Sequence, residues 1–198
     1  MTTSLTESPL APDYDRSSMT TGIVHIGVGG FHRAHEAAYL DRLMRRRAGS
    51  ASPEGSCLDW GICGVGLLPG DARMRDALEG QDHLYTLILK HPGGLRDPVV
   101  IGSIHDYLFA PDTPEAVLTL MSAPTTRIVS LTVTEGGYNV DDATGEFRTD
   151  SPGAVYDAEH PGEPVTAFGY IVEALRRRRE SGTAPFTVMS CDNLPGNG

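Results

Sequence analysis

The chain has almost no lysine: Lys90 is its one lysine, and every other basic position is arginine. Chemistry that needs an ε-amine must use Lys90 or draw on a residue outside the chain. Cysteine is scarce too. Cys57, Cys63 and Cys191 are odd in number and lack Cys-x-x-Cys spacing. That pattern excludes a disulfide frame and a cysteine zinc site, and it predicts reduced thiols in the cytoplasm. No basic segment followed by an apolar run marks a secretory signal. No apolar stretch approaches the roughly 20 residues of a membrane span, so a membrane is not an expected partner. A net charge of -10 excludes nucleic acid, because phosphate binding needs a basic face.

What is present suits one soluble domain. The 198 residues are 39% hydrophobic and 21% charged, enough for a real core. Residues 1–20 are polar, proline-bearing and aperiodic, and are expected to form a disordered tail, with order beginning at Gly22. Ile23–Ile26 is short and β-rich and ends at Gly27, which predicts a buried strand. A helix over about 33–47 follows from the apolar stripe Ala34, Ala37, Ala38, Leu40, Leu43 and Met44. The Ser/Pro/Gly stretch Gly49–Gly55 reads as a linker. A second strand is predicted at Trp60–Val65 and a short helix at about Asp71–Leu78. Leu84–Leu89 and Pro98–Ile104, separated by a glycine-containing loop, read as an antiparallel excursion. Then come a helix at Thr113–Met121 capped by Thr113, a strand at Arg127–Val133, and a Gly/Asp-rich surface crossing over 136–162. A helix over Val165–Glu180 and a strand at Phe186–Ser190 complete the pattern. The arginine run Arg176–Arg179 reads as a solvated helix end.

Such alternation implies an α/β fold: a Rossmann-like, doubly wound, mostly parallel sheet with helices on both faces. These sheets bind ligands beyond the carboxyl ends of their strands. After the first strand stands Gly27-Val28-Gly29-Gly30-Phe31-His32-Arg33-Ala34. Glycines at 27 and 29 permit a tight turn and the close approach of a diphosphate, and the helix start offers free N–H groups. His32 occupies the third glycine position of G-x-G-x-x-G, so the motif is incomplete. Arg33 either pairs with a phosphate or faces solvent. His32, His35 and Glu36 do not make a metal site, because their order is not H-E-x-x-H and no third ligand stands nearby in sequence. After the second strand, Asp71 is the nearest carboxylate, and it either holds the adenosine ribose or caps a helix. The third exit carries Thr134 and Glu135, placed for the nicotinamide ribose or the substrate. The last carries Asp192 and Asn193. The Asn193 amide can donate to a developing alkoxide, or the pair forms an Asx turn.

Taken together, Ile23–His35 (IVHIGVGGFHRAH), Thr132–Tyr138 (TVTEGGY) and Ser190–Gly198 (SCDNLPGNG) resemble, in order, the signatures of the mannitol dehydrogenase family, the long-chain polyol-specific dehydrogenases. Gly61–Leu78 and Gln81–Tyr85 share the likeness, which covers roughly Gly22 to Gly198. The resemblance implies an enzyme that transfers a hydride between NAD and a secondary alcohol of a sugar alcohol or hexuronate, of the mannitol-to-fructose type, with NADP left open. It implies that Ile26, Gly27, Val28, Gly29, Gly30, Phe31, His32, Arg33 and Ala34 cradle the coenzyme, that Asp71, Thr134 and Glu135 assist, and that Asn193 holds the substrate oxygen. The implied partners are a polyol or ketose and a complementing C-terminal domain chain.

The family's general base is a lysine on a second, helical domain, and this sequence does not contain that domain. Lys90 sits in the expected hairpin and cannot replace it. Nor does Lys90 make a Tyr-x-x-x-Lys pair, since residue 86 is Thr. Stopping at Gly198 on a strand-exit loop reads as a truncated product with little turnover of its own. The alternative is a non-catalytic nucleotide-binding module or an inactive gene fragment.

Overall fold

The structure, a computed structural model, describes residues 11–49, 53–141 and 143–193. Its centre is a five-stranded sheet. β1 (Thr21–Ile26), β2 (Gly61–Gly66), β5 (Ile104–Phe109), β6 (Ile128–Leu131) and β7 (Thr187–Ser190) lie in the order β5-β2-β1-β6-β7. Every pairing in it is parallel. β3 (Tyr85–Lys90) and β4 (Arg96–Ile101) form a separate antiparallel ribbon. The expected mostly parallel sheet with an antiparallel excursion is therefore the fold observed.

Alternation along β1 explains the layering. Val24 and Ile26 face one core with Val117, Leu118 and Met121 of α5 (Pro114–Ser122) and Tyr170, Ile171 and Ala174 of α8 (Ala167–Ser181). Ile23 faces the other core, with Ala37 and Ala38 of α2 (Glu36–Arg47), Leu78 of α4 (Ala72–Glu79) and Tyr107. By the two-residue period of a strand, His25 also points to the α2 side, where it is fully buried.

Several expectations need correction. The chain is already packed before Gly22. Tyr14 and Met19 are buried, and the Tyr14 hydroxyl donates to Asp41 Oδ1 at 2.5 Å. Arg16 donates to the Gly102 carbonyl and to Asp82. Residues 11–20 are therefore an arm clasped to the domain, and residues 1–10 lie outside the described residues. The single helix over 33–47 is two helices, α1 (Gly30–Ala34) and α2, broken at His35 with φ −118° and ψ −87°. His32, within α1, is buried. Part of the expected linker is the short helix α3 (Pro53–Ser56), and residues 50–52 lie outside the described set.

The run ending at Ile104 is likewise divided. β4 stops at Ile101, and after Gly102-Ser103 the chain enters β5 beside β2. His105 and Asp106 interrupt the apolar pattern that would have announced this edge strand. The crossing over 136–162 contains a further helix, α7 (Pro152–Glu159). Thr113 stands at the α5 cap position, but its hydroxyl donates to the Phe109 carbonyl. Arg178 is not solvated. It is buried and donates to the carbonyls of Met121, Ala123, Thr126 and Ala184. Among the described residues no helix is long and apolar enough to cross a membrane.

Candidate functional site

The carboxyl ends of β1, β2 and β6 open into a cleft of about 520 Å³. Its floor is Ile26, Gly27, Val28 and Gly29. One wall is Leu67, Leu68 and Asp71, another Thr132, Val133, Gly136 and Gly137, and the rim includes Phe147 and Val165–Phe168. In open parallel sheets this is the ligand position, because the strand order reverses on either side of β1 there.

The turn at Gly27 is held from three sides. Gly27 has φ +92°, a region that residues with a Cβ rarely adopt. A Cβ at this position would collide with the Thr132 backbone. The Gly27 carbonyl accepts from Gly29 N–H at 2.7 Å and from the Thr132 hydroxyl at 2.5 Å, and His25 Nε2 lies 3.3 Å away. In a trans peptide the C=O and the following N–H point in opposite directions. A Gly27 carbonyl fixed inward therefore aims the Val28 N–H at the cleft, and among the described residues that N–H has no acceptor. The first N–H groups of α1, from Gly30 and Phe31, likewise lack intrahelical partners.

Beneath the turn lies a polar cluster that sequence reasoning did not assemble. His25 and His32 stack with ring centroids 3.4 Å apart. His25 Nδ1 and His32 Nδ1 each lie 3.1 Å from Glu36 Oε2, and the Ser130 hydroxyl donates to the same oxygen at 3.0 Å. Burial pushes the His32 imidazole down to about 4. Burial opposes ionisation of Glu36, but the hydrogen bonds from His25 and His32 outweigh it and hold that carboxyl at about 2. The third group near His32 and Glu36 is thus His25, from β1, and not His35. The His35 ring meets its own helix at the Phe31 carbonyl and is exposed. The signal for this cluster was a histidine inside an otherwise apolar strand.

The other expected positions separate. Ile26–Gly29 line the cleft, whereas Gly30–Ala34 do not. Phe31 stacks on His35 at the surface. The Arg33 Nε donates to the Gly29 carbonyl, and its guanidinium lies 5.7 Å from the Tyr85 ring centroid. Asp71 lines the cleft and also accepts from Leu68 N–H through Oδ2 at 2.9 Å, so wall and cap are the same carboxylate. Thr134 and Glu135 open α6 (Thr134–Gly137) at the β6 exit, and their side chains lie outside the described residues. Asn193 is exposed just past β7 and does not line the cleft. Its neighbour Asp192 accepts from Val133 N–H at 2.8 Å and from the Tyr138 hydroxyl at 2.9 Å, so the β6 and β7 exits are tied together. Lys90 ends β3, exposed in the antiparallel ribbon. Sequence reasoning also missed the α8 start, Val165–Phe168, as part of the rim. No local motif marks it.

A glycine turn, an acidic residue after the second strand and a cleft across the strand-order reversal define a Rossmann dinucleotide-binding domain. Comparison with known proteins narrows this: residues 21–198 match the family model described as the mannitol dehydrogenase Rossmann domain, and the chain belongs to that family. It is 54% identical over 194 residues to a mannitol 2-dehydrogenase of Cereibacter sphaeroides, covering 98% of this chain and 39% of that protein. It is 49% identical over 189 residues to a mannitol 2-dehydrogenase of Pyricularia oryzae, covering 94% and 36%. Among solved structures it resembles the Pseudomonas fluorescens mannitol 2-dehydrogenase ternary complex with NAD and D-mannitol, with TM-score 0.86, 50% identity and coverage of 94% of this chain and 36% of the other. A substrate-free D-sorbitol dehydrogenase gives TM-score 0.84 and 44% identity, with coverage of 92% and 36%. The chain thus spans well under half the length of these relatives.

Proposed function

We propose that this chain is the coenzyme-binding part of an NAD-dependent polyol dehydrogenase that interconverts a secondary alcohol of a sugar alcohol such as mannitol with its ketone. The observation that carries the reading is the Gly27 turn, whose pinned carbonyl leaves the Val28 N–H facing the cleft. The residues present fit a dinucleotide. The N–H groups of Val28, Gly30 and Phe31 suit paired phosphates. Asp71 keeps one carboxylate oxygen for adenosine ribose hydroxyls and sets a negative charge against a 2′-phosphate, which favours NAD over NADP. Thr134 and Glu135 stand at the exit suited to the nicotinamide end. When bound, NAD supplies the hydride acceptor.

The protein's part is to orient and to exclude water. Leu67, Leu68, Val133 and Phe168 give the cleft apolar walls. The Asp192 carboxylate holds the β7 exit against Val133, and Asn193 follows it to donate its amide to the substrate oxygen. As the alcohol is oxidised its hydroxyl proton must pass to a base. No lysine lines the cleft, and Lys90 lies in the β3–β4 ribbon. The family resemblance implies a lysine base, which assigns that role to residues other than these 198, and the purified chain is expected to bind NAD without oxidising mannitol.

Calorimetry of the purified chain with NAD, together with absorbance of reduced coenzyme in the presence of mannitol, tests both halves. Heat with NAD and no turnover is the expected pair. No heat on folded protein would overturn the coenzyme reading, and rapid turnover would overturn the assignment of the base to residues elsewhere.

A further inference from the structure

We infer that His25 and Thr132 are positioning residues for the coenzyme, forming with Ser130 and Glu36 a buried relay that aims the Gly27 carbonyl and hence the Val28 N–H at the diphosphate. The inference rests on the reading of the cleft as a dinucleotide site.

The relay runs through four elements. Thr132, just past β6, donates its hydroxyl to the Gly27 carbonyl at 2.5 Å, and the same Oγ1 lies 2.9 Å from His25 Nε2. The opposite ring nitrogen of His25 lies 2.7 Å from Ser130 Oγ on β6, whose hydroxyl reaches Glu36 on α2. His32 of α1 closes the group by stacking on His25 and meeting Glu36 through Nδ1. An imidazole held at both nitrogens cannot rotate. A threonine hydroxyl held by that ring on one side and the carbonyl on the other has a fixed direction. The turn therefore does not depend on glycine flexibility to find its orientation; it is held before any ligand arrives.

The composition of the cluster argues that it serves more than stability. His25 and His32 are 0% and 1% exposed, His25 beside the apolar Ile23, Val24 and Ile26 of β1 and His32 as the one buried residue of α1. Among the described residues, His32 Nε2 and Glu36 Oε1 are buried with no hydrogen-bond partner. Buried polar atoms without partners destabilise a fold, and apolar side chains of similar shape would fill the space at lower cost. His25 Nδ1 and His32 Nδ1 both lie 3.1 Å from Glu36 Oε2, so the three side chains form one hydrogen-bonded set. What the arrangement does accomplish is to fix one carbonyl at the edge of the cleft.

The test compares Thr132→Val with Thr132→Ser in the 198-residue chain, using calorimetry with NAD and, separately, with adenosine, which has no phosphate. Removing one hydrogen bond that orients the turn should weaken NAD binding about tenfold. Adenosine affinity should stay unchanged, and serine should restore NAD binding. Ser130→Ala, remote from the cleft, should weaken NAD about threefold with adenosine again unaffected, and it keeps the test open should Thr132→Val fail to fold. Wild-type affinity for NAD in both Thr132→Val and Ser130→Ala would overturn the relay while leaving the coenzyme site intact. Equal losses for NAD and adenosine would show that the cluster is merely structural. A wild-type chain with no affinity for NAD would overturn the coenzyme site itself and the relay with it.

Discussion

The two ends of the parallel sheet are built differently. At the amino ends of the strands, cations close the structure on itself. The Arg127 guanidinium lies 3.6 Å from the Trp60 ring centroid and pairs with Asp59 at 2.8 Å. Arg178 gathers four carbonyls near the starts of β6 and β7, and Arg16 holds the turn between β4 and β5. At the carboxyl ends the strands open into the cleft, and the polar groups there act on backbone orientation: Thr132 on Gly27, Asp71 on Leu68, Asp192 on Val133. The difference sets contacts that close the fold at one end against contacts that orient backbone around the cleft at the other. Damage at one end should therefore leave the other largely intact.

Gly27→Ala breaks the comparison hardest at the carboxyl end. Positive φ and the collision with Thr132 should cost about 3 kcal/mol in stability and about a hundredfold in NAD affinity, read by urea denaturation and calorimetry. Arg178→Ala is the amino-end counterpart. It leaves four carbonyls without their charged donor and should cost about 3 kcal/mol, with NAD affinity of the folded fraction changed less than about twofold. An affinity loss as large as that of Gly27→Ala would end the division of labour.

Acid should act through the buried cluster. His32 faces Glu36, His25 and Arg33, and its imidazole sits at about 4 in the folded chain against 6.5 when exposed. The unfolded chain therefore binds a proton that the folded chain refuses, and stability falls as pH drops below 6.5. Between pH 7 and pH 5 the loss should be about 2 kcal/mol. Glu36, held at about 2 from 4.5, adds a further loss only below about pH 4.5. In His32→Phe the slope between pH 7 and 5 should flatten; an unchanged slope would place the titrating group elsewhere. The smallest effect is expected from Asp71→Ala, which should weaken NAD about fivefold and narrow the preference over NADP. Its fold should be little affected, since it loses one hydrogen bond to Leu68 N–H.

The same contrast explains what the sequence made legible. Strand β1, its glycine turn and the alternation of strands and helices are local patterns, and they led to the fold and to Ile26–Gly29 as the cleft floor. β5 was hidden because His105 and Asp106 break its apolar run, and the helix break at His35 because its neighbours keep helical periodicity. The relay was invisible for another reason. Its members are 105 and 107 positions apart, His25 to Ser130 and His25 to Thr132, and only the pairing of β1 with β6 brings them together. The same distance hid Val165–Phe168 from any reading of the strand exits. The arm at 11–20 looked like a tail because its docking depends on three scattered side chains, Tyr14, Arg16 and Met19, in a polar stretch.

A crystal structure of the chain soaked with NAD would show what the Gly27 turn holds. Both phosphates should lie beside Gly27–Phe31, with the Val28 N–H donating to one of them and the Gly27 carbonyl still bonded to Thr132. Coenzyme bound away from this turn, or a turn that reverses its Gly27 peptide to bind, would contradict that arrangement.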